Sequence, residues 1–146
     1  MNSAVALTEQ EAWLVLDSAC EQAGLDSAGA ALVRIGSNAV YRLRDQPVIV
    51  RISRDGALEE VRRQVNVAQW LTDEGFPAIR AMDLDQPFVV RGRVVTLWES
   101  ASKTTDYASL EEVGRLLRWL HSLAPPEGFE LPEKRPFDDD IGDRLA

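Results

Sequence analysis

The 146-residue chain has one cysteine, Cys20, and one histidine, His121. A lone cysteine excludes an internal disulfide. One Cys and one His also fall short of a zinc centre, and a Ser-His-Asp triad would depend entirely on His121. No apolar run reaches the length of a membrane span. The N-terminus, MNSAVALTEQ, lacks a basic region and a long apolar core, so it does not read as a signal peptide. A soluble, cytoplasmic protein with no membrane partner is the expectation. No Lys or Arg precedes Arg34, the stretch Glu127 to Asp143 is acidic, and the net charge is −8. Phosphate backbones would be repelled at both ends, which argues against nucleic acid as a partner. There is no internal repeat and no low-complexity tract.

What is present is an ordinary globular composition, 45% apolar, of a length that suits one domain. Against the acidic background, Arg34, Arg42, Arg44, Arg51 and Arg54 form a local basic zone. It reads either as solvated strand faces or as a site for a phosphorylated ligand. Thr8 and Glu11 make a capping box, which satisfies free N–H groups at a helix start. Ala12, Leu16, Ala19, Cys20 and Ala23 then recur at helical spacing, and Gly24 suits the position just past the end, so a helix is predicted over 9–23.

Three strand-like runs follow: Ala31 to Ile35, Ala39 to Arg44 and Val48 to Ile52. Their β-branched content and short connections predict antiparallel neighbours. In the third run Val48 and Val50 share one face, while Ile49, Arg51 and Ser53 share the other. From Ala57 to Glu74 the period becomes helical, with Leu58, Val61, Val65, Ala68 and Leu71 aligned; Gly75 and Pro77 end it. Gln86 to Glu99 reads as a hairpin turning at Arg91-Gly92. Ser109 and Glu112 form a second capping box, and Leu110, Val113, Leu116, Leu117 and Leu120 make the apolar face of a helix stopped by Pro125 and Pro126. The remainder has no clear period.

The stretches RIGSNAVYRL, PVIVRISR, VRRQVNVAQWLTDEGFPA, QPFVVRGRVVTLWE and GRLLRWLHSL, in that order over roughly Leu32 to Leu123, resemble the N-terminal lobe of the aminoglycoside phosphotransferase family. These are small-molecule kinases with the protein-kinase-like fold, related to choline and homoserine kinases. The resemblance implies an α+β fold: a five-stranded antiparallel sheet with one packed helix, a preceding N-terminal helix and a helix after the hinge. It divides the chain into an N-terminal helix and loop (1–30), a nucleotide-binding lobe (31–100), a post-hinge helix (101–124) and an irregular acidic tail (125–146) leading to a helical lobe that lies outside this sequence.

The same resemblance suggests cofactor-binding residues, with ATP and Mg²⁺ as the implied cofactors. Gly36, Ser37 and Asn38 match the loop that covers the nucleotide phosphates; Gly36 lets backbone approach them, and Ser37 and Asn38 offer donors. An ordinary hairpin turn uses the same residues. Arg51 matches the strand-three cation that grips the α- and β-phosphates, where a guanidinium stays charged and can bind as a fork. Gln64 stands where the family places a glutamate to pair with that cation, and Glu60, one turn earlier, is the other candidate partner. Leu97, Trp98 and Glu99 match the end of strand five and the hinge, with Val50 and Leu97 as apolar walls for the base or as plain core. His121 resembles the histidine closing the family's LLxxLH helix and reads as a packing histidine with a hydrogen bond.

The family's chemistry sits in its C-terminal lobe, in a His-Gly-Asp loop, an asparagine and a metal-holding aspartate. In this sequence His121 is followed by Ser-Leu, and the carboxylates of Phe137 to Asp140 read as a solvated acidic turn. No catalytic residue and no Mg²⁺ ligand is therefore assigned. The expectation is a nucleotide-binding part of a phosphotransferase, inactive alone, whose partner is either the absent lobe or a second copy joined through exposed apolar surface. A non-catalytic, pseudokinase-like nucleotide-binding module is the alternative.

Overall fold

The computed structural model describes residues 6–101 and 107–132. Helix α1 spans Glu9–Ala23 and starts as its capping box predicts: the Thr8 side chain accepts from the Glu11 N–H, and the Glu11 carboxylate accepts from the Thr8 N–H. Gly24 closes it at φ 73°, a left-handed conformation that glycine adopts without a Cβ penalty. Five strands follow: β1 (Ala31–Ile35), β2 (Ala39–Arg42), β3 (Val48–Ser53), β4 (Phe88–Val90) and β5 (Arg93–Glu99). Helix α2 (Leu58–Asp73) lies between β3 and β4, and helix α3 (Leu110–Ser122) follows β5. The fold class is α+β, with one antiparallel sheet in the order β1-β2-β3-β5-β4. β2 ends two residues earlier than its sequence suggests, although the Leu43 N–H still donates to the Val48 carbonyl.

Strand alternation gives the sheet two different faces. On one, Tyr41, Val48, Val50, Ile52, Val95 and Leu97 form a single core with Ala12, Val15, Leu16, Ala19 and Cys20 of α1. Trp13 of α1 meets the Tyr41 ring edge-on, with centroids 6.2 Å apart. The other face is covered at one end only, where Val61 of α2, Ala57 and Val94 form a small second cluster. The remainder of that face is open.

The β4–β5 hairpin turns at Arg91 (φ 51°) and Gly92 (φ 80°). Two positive φ values in a two-residue loop are the mark of a type I′ turn, whose twist matches that of the strands. Beyond β4, the Gln86 side chain continues the edge. Its Nε2 donates to the carbonyls of Met82 (2.8 Å) and Leu97 (3.2 Å), and its Oε1 accepts from the Leu97 N–H (2.8 Å). Ala81 then bridges Trp98, and the Glu99 N–H donates to the Arg80 carbonyl. The segment before β4 is thereby tied along the last turn of β5.

Helix α3 has its predicted cap, Ser109 with Glu112, yet none of its residues is buried. Its apolar face is open: Leu110 is 92% and Leu117 49% exposed. Trp119 meets Phe76 at 5.1 Å between ring centroids. His121 is exposed in the last turn of α3, so it is not the packed residue that the helix pattern suggests. The Phe137 to Asp140 turn lies outside the described residues.

Candidate functional site

The open face of the sheet forms a cleft of about 360 Å³ lined by Val40, Arg42, Ile49, Arg51, Ile79, Trp98, Glu99, Ser100 and Ala101. Strand register explains this set. Val40 pairs with Arg51 and Arg42 with Ile49 across β2 and β3; Ile49 pairs with Trp98 and Arg51 with Thr96 across β3 and β5. Partners directly opposite in a ladder share a face. This side of the sheet therefore presents two rows of side chains running across the strands. One row holds Val40, Arg51 and Thr96. The other holds Arg42, Ile49 and Trp98.

Arg51 is the half-buried cation on this floor, and its Nη1 donates to the Gln64 Oε1 of α2 at 3.0 Å. That single bond joins β3 to α2 and settles which of the two candidates partners Arg51. Glu60 is engaged elsewhere, with the Arg54 guanidinium at 3.3 Å. A guanidinium held by a neutral amide keeps its full positive charge and its remaining N–H donors for an anion.

The Gly36–Asn38 turn sits at the end of β1 and β2. The Gly36 N–H donates to the Asn38 carbonyl at 2.9 Å, and the Asn38 Oδ1 accepts from the Arg54 N–H at 3.1 Å. The Asn38 side-chain oxygen is thus used to fasten the turn to the end of β3, which leaves its amide N–H groups as donors. A Cβ built on Gly36 would meet nothing within 4 Å, so no neighbouring protein atom requires glycine here.

The hinge residues separate. Trp98 faces the cleft, and its Nε1 donates to the buried Thr96 Oγ1 at 2.9 Å, which fixes the indole ring. Glu99 and Ser100 lie at the cleft rim, and the Ser100 N–H donates to the Pro47 carbonyl. Leu97 and Val50 do not line the cleft. Both side chains are fully buried against α1 on the opposite face, because they alternate with Trp98 and Arg51 along their strands. They are core residues, and the apolar floor is Val40 and Ile49 instead. Ile49 could have been found from the alternation around Arg51, which puts it on the same face two residues earlier. Val40 and Arg42 need the β2–β3 register, and Ile79 needs the return path before β4.

Among the described residues no group of three or more His, Cys, Asp or Glu side chains could hold a metal ion. The described residues therefore offer no ligand cluster of their own for the Mg²⁺ that the sequence resemblance implies.

A five-stranded antiparallel sheet, with a helix bonded to a strand-three cation beside an open cleft, defines the class: a protein-kinase-like N-terminal lobe. The model of the phosphotransferase enzyme family (APH) matches residues 30–144, and the chain belongs to that family. No curated protein and no solved structure matches the chain.

Proposed function

We propose that this chain binds ATP in the cleft between β3, the Gly36–Asn38 turn and the Trp98–Ala101 hinge, as the nucleotide-binding part of a small-molecule kinase. The observation that carries the reading is the Arg51–Gln64 bond at 3.0 Å on the open face of the sheet. Phosphoryl transfer relies on positioning and charge neutralisation. In this reading the Arg51 fork binds α- and β-phosphate oxygens, and Gln64 holds the guanidinium toward them. Backbone at Gly36, with Ser37 and the Asn38 amide, covers the phosphates. Val40 and Ile49 lie against one face of the base, and backbone groups near Glu99 bond its edge. Leu97 lies in the core on the opposite face of β5 and makes no contact with the nucleotide in this reading. The groups that orient an acceptor hydroxyl, hold Mg²⁺ and receive its proton belong to a second, helical lobe, which docks beside α3. The setting is the cytoplasm, where ATP is available.

The unmatched charge at Arg51 favours a second reading as well: a nucleotide-binding module that does no chemistry, since kinases of this fold pair that cation with a glutamate. Calorimetric titration with ATP tests both against a plain interaction domain. Saturable binding that Arg51→Ala weakens roughly tenfold or more is expected, as for loss of a charge-assisted contact. Equal affinity in wild type and Arg51→Ala would sink the site.

A further inference from the structure

The geometry points to Arg34 as a second phosphate-gripping residue, brought into the same cross-strand row as Arg51 by a β-bulge at Val33; the inference rests on the nucleotide reading above. β1 and β2 pair Leu32 with Tyr41, and then Arg34 with Val40, so two residues on β1 advance against one on β2. Such an extra residue reverses which face the following side chains take. Leu32 and Tyr41 belong to the α1 side, where Leu32 packs on the core. A regular strand would keep Arg34 on that side too, with a charge against the helix. The bulge instead delivers it to the cleft side, while Val33 itself is 55% exposed.

The consequence is a continuous row across four strands: Arg34, Val40, Arg51, Thr96. Two strand spacings separate the Cα atoms of Arg34 and Arg51, about 10 Å. Extended arginine side chains from both can converge on one polyphosphate. The Gly36–Asn38 turn begins two residues beyond Arg34, so the row lies at the phosphate end of the cleft. The parallel row, Ala31, Arg42, Ile49, Trp98, lies at the other end, beside the hinge.

Charge supports the assignment. The side of the sheet that carries the cleft presents Arg34, Arg42 and Arg51, and Glu99 at the rim is the one carboxylate among the lining residues, in a chain with 24 acidic and 16 basic residues. Arg44, Arg54, Arg62 and Arg93 each have a carboxylate within 4 Å. Arg34 has no ion pair or side-chain hydrogen bond among the described residues. An exposed guanidinium in the same row as the site cation, with no ion pair among the described residues, fits a ligand carrying more than one phosphate.

The test is calorimetric titration of the full 146-residue chain with inorganic tripolyphosphate, ATP and adenosine, each at low and high salt. For Arg34→Gln, affinity for tripolyphosphate and for ATP should fall roughly 5–20-fold, with a shallower salt dependence, while adenosine binding is unchanged. Arg34→Lys should recover part of the loss, since it restores the charge without the fork. The inference is overturned if Arg34→Gln binds tripolyphosphate within twofold of wild type, or if adenosine weakens equally. A wild-type chain that binds none of the three overturns the nucleotide reading itself, and the inference with it. Wild-type melting temperature in Arg34→Gln checks that the bulge is intact.

Discussion

At the scale of single residues, the buried polar and titratable side chains make the firmest predictions. Burial pushes the Cys20 thiol up to about 11 from 9.0, with Asp17 and then Asp26 adding to the effect. The thiolate is the reactive form, so native Cys20 should resist alkylation at neutral pH and react only on unfolding. Rapid labelling of folded protein would contradict this. The same shift makes stability depend on pH. A group whose folded-state value is raised stabilises the fold fully below pH 9 and loses that contribution as pH climbs toward 11. Tyr41 is shifted upward too, by burial and then by Glu9, and acts in the same direction. Melting temperature should therefore decline over pH 9–11, and Cys20→Ala should flatten part of the decline. Ser53 is a different case. Its Oγ is buried at the end of β3 without a hydrogen-bond partner among the described residues. An unpaired buried hydroxyl is a desolvation cost, so Ser53→Ala should leave stability unchanged or raise it by about 1 kcal/mol in urea denaturation. A loss of more than about 1 kcal/mol would show that the hydroxyl has a partner after all.

At the scale of elements, the fold depends on how segments are joined as much as on the segments. Gln86 replaces a ladder rung where β4 stops, satisfying backbone groups of Met82 and Leu97. Gln86→Ala would leave the part-buried Leu97 N–H without that partner, at a cost of roughly 1–3 kcal/mol. Because Trp98 follows Leu97, the same variant should change the tryptophan fluorescence and the nucleotide affinity together. A destabilised variant with unaltered affinity would show that the clamp holds the edge without shaping the cleft. Between β3 and α2, Gln64→Ala should free the Arg51 side chain and weaken ATP binding roughly 3–10-fold, whereas Gln64→Glu should retain it. Equal loss in both variants would mean that the neutral amide itself is required.

At the scale of the whole molecule, the open surface of α3 dominates. A helix with a well-formed apolar stripe and no buried residue has its face available to another surface. Sedimentation of the 146-residue chain should reveal concentration-dependent self-association that Leu117→Glu reduces. A monodisperse monomer at high concentration would rule that out and point to a face that only a second lobe covers. The chain should also show no ATP-dependent phosphorylation of aminoglycosides or amino alcohols by itself. No His-Gly-Asp stretch occurs in it, and its described residues hold no metal cluster. Turnover abolished by Arg51→Ala would overturn that expectation.

Local chemistry determined what local chemistry can. The capping boxes at Thr8 and Ser109, the αL glycine at Gly24 and the turn at Arg91-Gly92 were all legible, because each is decided by residues within a few positions of one another. The order of helices and strands followed from hydrophobic period and punctuation; the phosphotransferase family followed from the resemblance of five stretches lying in that order. Facing was harder. Alternation placed Ile49 with Arg51, yet nothing local said which face of β3 would meet α1. Val50 and Leu97 consequently stayed open between walls of the cleft and plain core, and both are core. The partner of Arg51 was equally ambiguous between Gln64 and Glu60, one helical turn apart, until the rotation of α2 against β3 put Gln64 within 3.0 Å. The bulge at Val33 shows the same limit. Its sequence is an ordinary strand, and only pairing with β2 reveals that one extra residue carries Arg34 to the cleft. Periodicity fixes which side chains lie together on an element. Which element covers them is settled only when the whole apolar surface is buried at once.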